Sequence, residues 1–265
     1  MFPEIIVFDL DGTIAKSKQS LDEEMVNLLQ KIIERGSLIV IISGAGYNQF
    51  AEQVLSTFEM FWEGECSYRG FKNLILLPLN GSEVYLFEGF PAKWERVVSS
   101  DFSEREKQQI FDAFEEALSK SGYEPPKEMF GEQIEDRGGQ ITFSALGQKA
   151  PLELKKEYDP DHQKRLAIKM HLDDLLPDFE VRIGGTTSID VNRKGRDKAY
   201  GLDLVLRNII GQTYDQVIPN CLFVGDALFE GGNDESVKRL GIQCQQVASV
   251  SDTKSLVRNL LDASN

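Results

Sequence analysis

The sequence predicts an α/β protein in which a smaller α+β domain is inserted into a Rossmann-like core with a parallel sheet. Two short apolar runs, residues 5–8 and 221–224, are typical of buried parallel strands, and an acidic residue closely follows each. Between them, the alternation of strand and helix gives way to a mixed pattern. The predicted boundaries are residues 1–91 and 189–265 for the discontinuous core and 92–188 for the insert.

The start of the chain has the pattern of a β-α-β unit. Ser20 and Glu23 have the spacing of a capping box, and apolar residues then recur at helical spacing, which predicts a helix over residues 21–35. A second strand over residues 38–42 leads directly to Ser43. Because the crossover of such a unit is right-handed, the first acidic strand end and Ser43 should lie at one edge of the sheet.

Later elements follow from the same periodicities and turn signals. A second amphipathic stretch follows Gly44, and Asn80-Gly81 predicts a turn between short strands. In the insert, the expected elements are a helix capped by Ser103 and Glu106, a strand over 141–146, a helix from Asp159-Pro160 and a strand over 179–183. In the second part of the core they are a helix over 197–208, strands over 221–225 and 242–247, and helices from about 233 and 252.

Composition excludes several classes of protein. The 265 residues carry a formal net charge of -14, which argues against nucleic acid or an anionic membrane as a partner. Cys66, Cys221 and Cys244 are too widely spaced to indicate a disulfide framework or a zinc knuckle. No apolar run has the length of a signal peptide or a membrane span, so we expect a cytoplasmic protein. We interpret His162 and His171 as surface residues.

Carboxylates from two strands should meet at one sheet edge and hold a metal ion. Asp9 and Asp11 end the first strand, and Asp226 ends the later one. Isolated buried carboxylates are unfavourable, so we expect a cation among them, with Mg²⁺ as the cofactor. Asn233 and Asp234 should orient Asp226 through hydrogen bonds from outside the direct coordination of the ion.

This set of residues suits phosphoryl transfer. We expect Asp9 to be the nucleophile, while the side chain of Asp11 protonates the leaving oxygen and its backbone carbonyl reaches the ion. Thr13 and Ser43 are expected to hydrogen-bond the transferred group. Lys198 should offset the negative charge that the transition state spreads over the phosphoryl oxygens.

The order of these motifs resembles the haloacid dehalogenase superfamily. Within it, the chain is most similar to subfamily IIB, whose large α/β cap is of type C2b, and to eukaryotic-type phosphomannomutases. The stretches that carry this closer resemblance are Leu79-Asn80-Gly81, residues 134–141, residues 184–191 with 195–198, and Gly225-Asp226 with Gly231-Gly232-Asn233-Asp234.

The resemblance implies a sugar phosphate as substrate and assigns candidate binding residues. Arg137 falls on a position where phosphomannomutases place an arginine that binds the far phosphate of the sugar, whereas Gln148 falls on a second such position and Lys155 near a third. Ser188 and Asp190 are candidate contacts to sugar hydroxyls, and Gly44 lies beside the phosphate-binding hydroxyl. The oligomer that this resemblance suggests is a homodimer formed through the cap.

Three functions remain open from the sequence. Glutamine cannot replace the bidentate fork of arginine, so Gln148 favours a magnesium-dependent sugar phosphatase over a mutase that must hold a bisphosphate in two orientations. The alternative is an isomerase that interconverts hexose 6-phosphate and hexose 1-phosphate. An inactive sugar-phosphate-binding protein is the third reading, but the sequence lacks none of the nucleophile, acid and metal-ligand positions.

Overall fold

The computed structural model describes residues 2–61, 70–88, 93–184, 186–210 and 214–263, apart from the side chains of Leu152 and Tyr214. Cys66 and Gly185 lie outside the described residues. The chain forms two compact units, of which the first comprises Met1–Ser99 with Arg196–Asn265 and the second comprises Ser100–Gly195. The second unit therefore begins and ends later along the chain than the predicted insert of residues 92–188.

The first unit contains a seven-stranded sheet in the order β11-β10-β1-β2-β3-β4-β5. Its strands are β1 (Ile5–Asp9), β2 (Leu38–Ile42), β3 (Leu74–Leu77), β4 (Glu83–Glu88), β5 (Lys93–Ser99), β10 (Cys221–Gly225) and β11 (Gln243–Gln246). The first five strands in the sheet order are parallel, and β4 and β5 extend the sheet with antiparallel pairs. The predicted parallel core is confirmed.

Apolar residues cover both faces of this sheet. Ile6 and Phe8 pack in one cluster with α1 (Glu23–Glu34) and the last helix of the chain, whereas Ile5 and Val7 pack on the opposite face. Because side chains alternate along a strand, a run without polar residues fits only a strand buried on both sides. This explains why β1 is so uniformly apolar.

The remaining helices of the first unit are α2 (Tyr47–Phe50), a π-helical turn (Ala51–Leu55), α3 (Ser56–Phe61), α7 (Lys198–Asn208), α8 (Tyr214–Val217) and α9 (Val250–Asp262). The predicted Ser20 cap of α1 is wrong: Asp22 caps this helix and accepts a hydrogen bond from the Met25 N–H. Ser20 donates instead to the carbonyl oxygen of Glu52. The helix expected from residue 233 is a 3₁₀ segment, Glu235–Leu240.

The second unit is an antiparallel sheet with helices on one face. Its strands, in the order β6-β7-β9-β8, are β6 (Ile134–Asp136), β7 (Gln140–Ser144), β8 (Phe179–Gly184) and β9 (Ser188–Arg193). Its helices are α4 (Glu104–Lys120), α5 (Leu152–Tyr158) and α6 (Gln163–Leu175). The capping box of Ser103 and Glu106 is confirmed. The mixed α+β character predicted for this part of the chain is present.

The strand β9 accounts for the difference in the later boundary. It pairs with β7 on one side and with β8 on the other, so residues 189–193 belong to the second unit and not to the core. The helix expected to start at Asp159-Pro160 also begins later, at Gln163, because the Asp159 carboxylate accepts hydrogen bonds from the backbone N–H groups of Lys164 and Arg165. In the described part of the chain, no helix is long and apolar enough to cross a membrane.

Candidate active site

The end of β1 lies between two other parallel strands and presents Asp9 at the sheet edge. Asp9 is only 3% exposed, and its neighbour in β2 is Ile42. On the other side, Asp226 directly follows β10. A Cβ atom on Gly12, whose φ is +90°, would lie 2.4 Å from Asp226 Oδ2, so glycine is required where the chain after Asp9 passes this carboxylate.

Lys198 joins the carboxylates from the first residue of α7. Its Nζ atom forms an ion pair with Asp9 and lies 2.6 Å from Asp234 Oδ1, and the side chain is fully buried. Asp197 caps the same helix by accepting a hydrogen bond from the Tyr200 N–H, and Arg239 pairs with Asp197. The helix cap thus fixes the start of α7, and with it the position of the lysine.

Asp234 is part of the acidic cluster itself. Oxygen atoms of Asp9, Asp226 and Asp234 all lie within 4.8 Å of one another, a spacing at which they can share a metal ion. Asp234 is fully buried, and its Oδ2 accepts a hydrogen bond of 3.0 Å from the Ala227 N–H. Asn233, its predicted companion, is exposed. Asp234 can therefore coordinate a metal ion directly, whereas the sequence predicted only that it orients Asp226.

The charges of this cluster favour a bound cation. Burial raises the pKa of Asp9 to about 6, although the neighbouring Lys198 acts in the opposite direction. Burial, followed by the proximity of Asp234, also raises the pKa of Asp226. Three carboxylates against one ammonium leave an excess of negative charge. A hard divalent cation with oxygen ligands fits this donor set.

The Asp11 side chain contacts a different set of groups. Its Oδ1 accepts a hydrogen bond of 2.7 Å from the Lys18 N–H, and its Oδ2 accepts one of 3.1 Å from Gln49 Nε2. Gln53 Nε2 lies 3.4 Å from Oδ1. Sequence reasoning missed both glutamines. Their separation of four residues in the helical segment after Ser43 is the signal that could have indicated them.

Two hydroxyl groups accompany the carboxylates in the first unit. Thr13 is fully buried, and its Oγ1 has no hydrogen-bond partner in the part of the chain that the structure describes. Ser43 follows β2, is 5% exposed, and accepts a hydrogen bond of 3.1 Å from the Ala45 N–H. The adjacent Gly44 faces the Asn80 side chain. A buried hydroxyl without a partner, two residues after Asp11, fits a site for a polar ligand.

In the second unit, the sheet carries polar groups on the face opposite its helices. The Thr142 hydroxyl donates to Asp190 Oδ1 over 2.8 Å, and Gln140 Nε2 donates to Thr142 Oγ1 over 2.9 Å. Burial raises the pKa of Asp190. Ser188 begins the same strand and pairs with Ser144 of β7.

The three predicted phosphate-binding residues of this unit have partners within it. Arg137 Nε donates to Glu135 Oε2 over 2.8 Å. Gln148 Nε2 donates to the carbonyl oxygens of Gln133 and Thr142, over 3.3 and 3.2 Å. Lys155 Nζ donates to the Gln148 carbonyl oxygen over 2.9 Å. The Gln148 amide thus bonds to the backbone of its own unit.

The fold and this site define a phosphotransferase of the haloacid dehalogenase superfamily. A family model described as eukaryotic phosphomannomutase matches residues 121–263. The chain therefore belongs to the eukaryotic phosphomannomutase family. A probable phosphomannomutase of Caenorhabditis elegans is 25% identical over 97% of this chain and 95% of its own length. A phosphomannomutase of Saccharomyces cerevisiae is 26% identical over 97% of this chain and 94% of its own.

A solved structure supports the same fold. A haloacid dehalogenase-like hydrolase from Bacteroides thetaiotaomicron superimposes with a TM-score of 0.64 at 15% sequence identity. The match covers 97% of this chain and 99% of the hydrolase. At this identity, the likeness concerns the fold alone.

Proposed function

We propose that the protein transfers phosphoryl groups of hexose phosphates through an aspartyl-phosphate on Asp9, with Mg²⁺ as its metal, and interconverts hexose 6-phosphate and hexose 1-phosphate. The sequence alone ranked hydrolysis first. Membership of the eukaryotic phosphomannomutase family is the observation that carries the mutase reaction, because the matched residues 121–263 include most of the second unit together with Lys198, Asp226 and Asp234.

The acid cluster supports the covalent step. Asp9 attacks phosphorus, and its new bond to phosphorus forms as the bond to the leaving oxygen breaks. Lys198, already paired with Asp9 and Asp234, lies where it can neutralise charge on the transferred group. The carboxylates of Asp9, Asp226 and Asp234 and the Asp11 carbonyl would hold the ion. When bound, Mg²⁺ reduces the repulsion between the nucleophile and the phosphate oxygens.

The remaining core residues complete the chemistry. Asp11 donates its proton to the leaving oxygen and recovers one from the sugar hydroxyl that later attacks the phosphoaspartate. The unpartnered Thr13 hydroxyl and Ser43 would donate hydrogen bonds to phosphoryl oxygens. In the second unit, we assign Arg137 to the far phosphate, and Ser188 and Asp190 to sugar hydroxyls.

Hydrolysis is the second candidate, and Gln148 favours it. At this position the amide bonds to two backbone carbonyls and offers no positive charge to a distal phosphate. A mutase must retain the bisphosphate while the sugar turns around, which requires strong binding at the far end. Weak retention would leave the phosphoaspartate to water.

One assay decides between the two reactions. The protein is incubated with Mg²⁺ and mannose 6-phosphate, with and without a catalytic amount of hexose bisphosphate, and both mannose 1-phosphate and free phosphate are measured. We expect the isomer to form faster than phosphate when the bisphosphate is present. Phosphate release without isomer would establish the hydrolase instead, and no turnover on any hexose phosphate would overturn both.

A further inference from the structure

Two glutamine side chains bond to the Asp11 carboxylate and to each other. Gln49 Nε2 donates to Asp11 Oδ2 over 3.1 Å and to Gln53 Oε1 over 2.8 Å. Gln53 Nε2 donates to the Gln19 carbonyl oxygen over 2.9 Å and approaches Asp11 Oδ1 at 3.4 Å. Each amide nitrogen therefore has two acceptors for its two N–H bonds, and the orientation of both side chains is determined.

The helix that carries these residues has a local irregularity between them. Gln49 lies in α2, whereas Gln53, which is only 4% exposed, lies in the π-helical turn Ala51–Leu55. π-helical turns are rare and are found frequently at functional sites. Burying a second primary amide beside the site is favourable only because every donor has an acceptor.

These contacts differ between the two oxygens of Asp11. Oδ1 receives the Lys18 N–H at 2.7 Å and the more distant Gln53 amide, whereas Oδ2 receives Gln49. A carboxyl oxygen has two lone pairs, so Oδ2 retains one position for a proton. The Lys18 backbone, with φ of +57°, and the glutamines hold the carboxyl group from two sides.

We propose that Gln49 and Gln53 are positioning residues that aim Asp11 Oδ2 at the leaving oxygen. This inference rests on the proposed function, in which Asp11 is the acid of phosphoryl transfer. As the Asp9–phosphorus bond forms, the bond from phosphorus to the leaving oxygen breaks, and the proton on Asp11 Oδ2 passes to that oxygen. Asp11 is left as a carboxylate that Gln49, Gln53 and the Lys18 N–H stabilise.

Leaving-group dependence tests this role. Gln49→Leu removes both hydrogen bonds of the amide nitrogen at a half-buried site. We expect it to slow release of a sugar from its phosphate by about 10- to 100-fold, which is the usual effect of losing a hydrogen-bond partner that orients a functional side chain such as a metal ligand. Release of p-nitrophenol, which needs no proton, should fall less than about threefold. Asn48→Leu, at the exposed neighbouring position, is the matched control and should affect neither substrate.

Asp11→Asn and the double variant complete the design. If Asp11→Asn slows sugar release far more than p-nitrophenol release, the acid role holds. In the Asp11→Asn background, Gln49→Leu should then slow sugar release by less than about a further threefold, because the effects of residues that act as one unit are not additive. Equal loss on both substrates in Gln49→Leu, or full additivity, would overturn the positioning role while leaving the proposed function intact. Equal loss in Asp11→Asn itself would count against the acid role and against this inference. Gln49→Met, closer in shape, replaces Gln49→Leu if that variant does not fold.

Discussion

Gly81 and Gly201 lie in direct backbone contact. A Cβ atom on Gly81 would be 2.3 Å from the Gly201 Cα, and one on Gly201 would be 2.4 Å from the Gly81 Cα. Gly201 lies in α7, three residues after Lys198, and Gly81 ends a turn in which the Asn80 N–H donates to the Ser43 carbonyl oxygen over 2.8 Å. The contact therefore links the helix that presents Lys198 to the turn that hydrogen-bonds to the Ser43 backbone.

Substituting Gly201 should move Lys198 and Ser43, the two proposed catalytic groups, apart. Alanine favours a helix interior by about 1 kcal/mol over glycine, but overpacking costs about 1 to 3 kcal/mol, and here the new atom meets backbone that cannot rotate away. We expect Gly201→Ala to lower the free energy of unfolding and to reduce kcat. Urea denaturation and steady-state kinetics measure both, with Asn208→Ala, exposed at the end of the same helix, as control. A variant as stable and as active as the parent would contradict the contact.

Asp9, the proposed nucleophile, can be replaced by asparagine with almost no change in side-chain volume. Asp9→Asn should reduce phosphoryl transfer to less than about a hundredth, the scale on which essential nucleophiles act. Because burial raises the pKa of Asp9 and so penalises its ionised form, the metal-free variant should have a melting temperature at least equal to that of the parent. Activity above that level would exclude Asp9 as an obligatory nucleophile, and a lower melting temperature would argue that its pairing with Lys198 outweighs its burial.

In the metal-free protein, the contribution of Asp9 to the free energy of unfolding should fall as the pH rises toward neutrality. The pKa of Asp9 is raised from 3.8 to about 6, so between these values the folded state binds more protons than the unfolded state. The contribution of this group to stability is then fully present below 3.8 and is lost as the pH rises through about 6. Thermal denaturation in a chelator across this range should show the trend in the parent more strongly than in Asp9→Asn. Mg²⁺ should stabilise the parent more at pH 7.5 than at pH 5, since the ion competes with the proton. Identical pH profiles for the two proteins would refute the raised pKa.

The second unit contains a buried ion pair whose loss should be severe. Arg165 Nε lies 2.8 Å from Asp159 Oδ2, and the two residues are 1% and 2% exposed. Arg165→Met leaves the carboxylate buried and unpaired, which typically costs about 3 to 5 kcal/mol. Lys169→Met breaks a more exposed pair in the same helix and should cost less than about 1 kcal/mol. Chemical denaturation compares them, and similar losses in the two variants would show that burial of the pair contributes little.

Arg137 should discriminate between substrates with and without a second phosphate. If it binds the far phosphate, Arg137→Ala should weaken hexose bisphosphate binding by about 1.5 to 3 kcal/mol, the range for a hydrogen bond to a charged group. Hydrolysis of an aryl phosphate, which has one phosphate, should be nearly unchanged. Calorimetry with the bisphosphate and a colorimetric assay separate the two effects. Equal losses would assign Arg137, with its Glu135 partner, to the stability of the second unit.

The sequence predicted correctly those elements of the fold that depend on residues close together in the chain. The strand leading to Asp9 could be recognised because an uninterrupted apolar run is compatible only with burial on both faces. The cap formed by Ser103 and Glu106 involves residues three apart and needs no tertiary context. The cap of α1 was misassigned because Ser20 and Asp22 both suit the role, and the Glu52 carbonyl oxygen engages Ser20.

Contacts between distant parts of the chain were decided only by the tertiary structure. The sequence determined that Asp9 and Asp226 lie at the ends of two strands and that Lys198 lies near the start of a helix, because local sequence patterns mark strand ends and helix starts. It did not determine that Asp234 lies within the acid cluster, that Gln49 and Gln53 hold Asp11, or that β9 pairs with β7 and β8. Several side chains are equally polar and several strands equally extended, so the sequence does not show which of them lie next to one another. The packing of the whole domain decides this, because buried polar groups need hydrogen-bond partners and apolar faces must be covered.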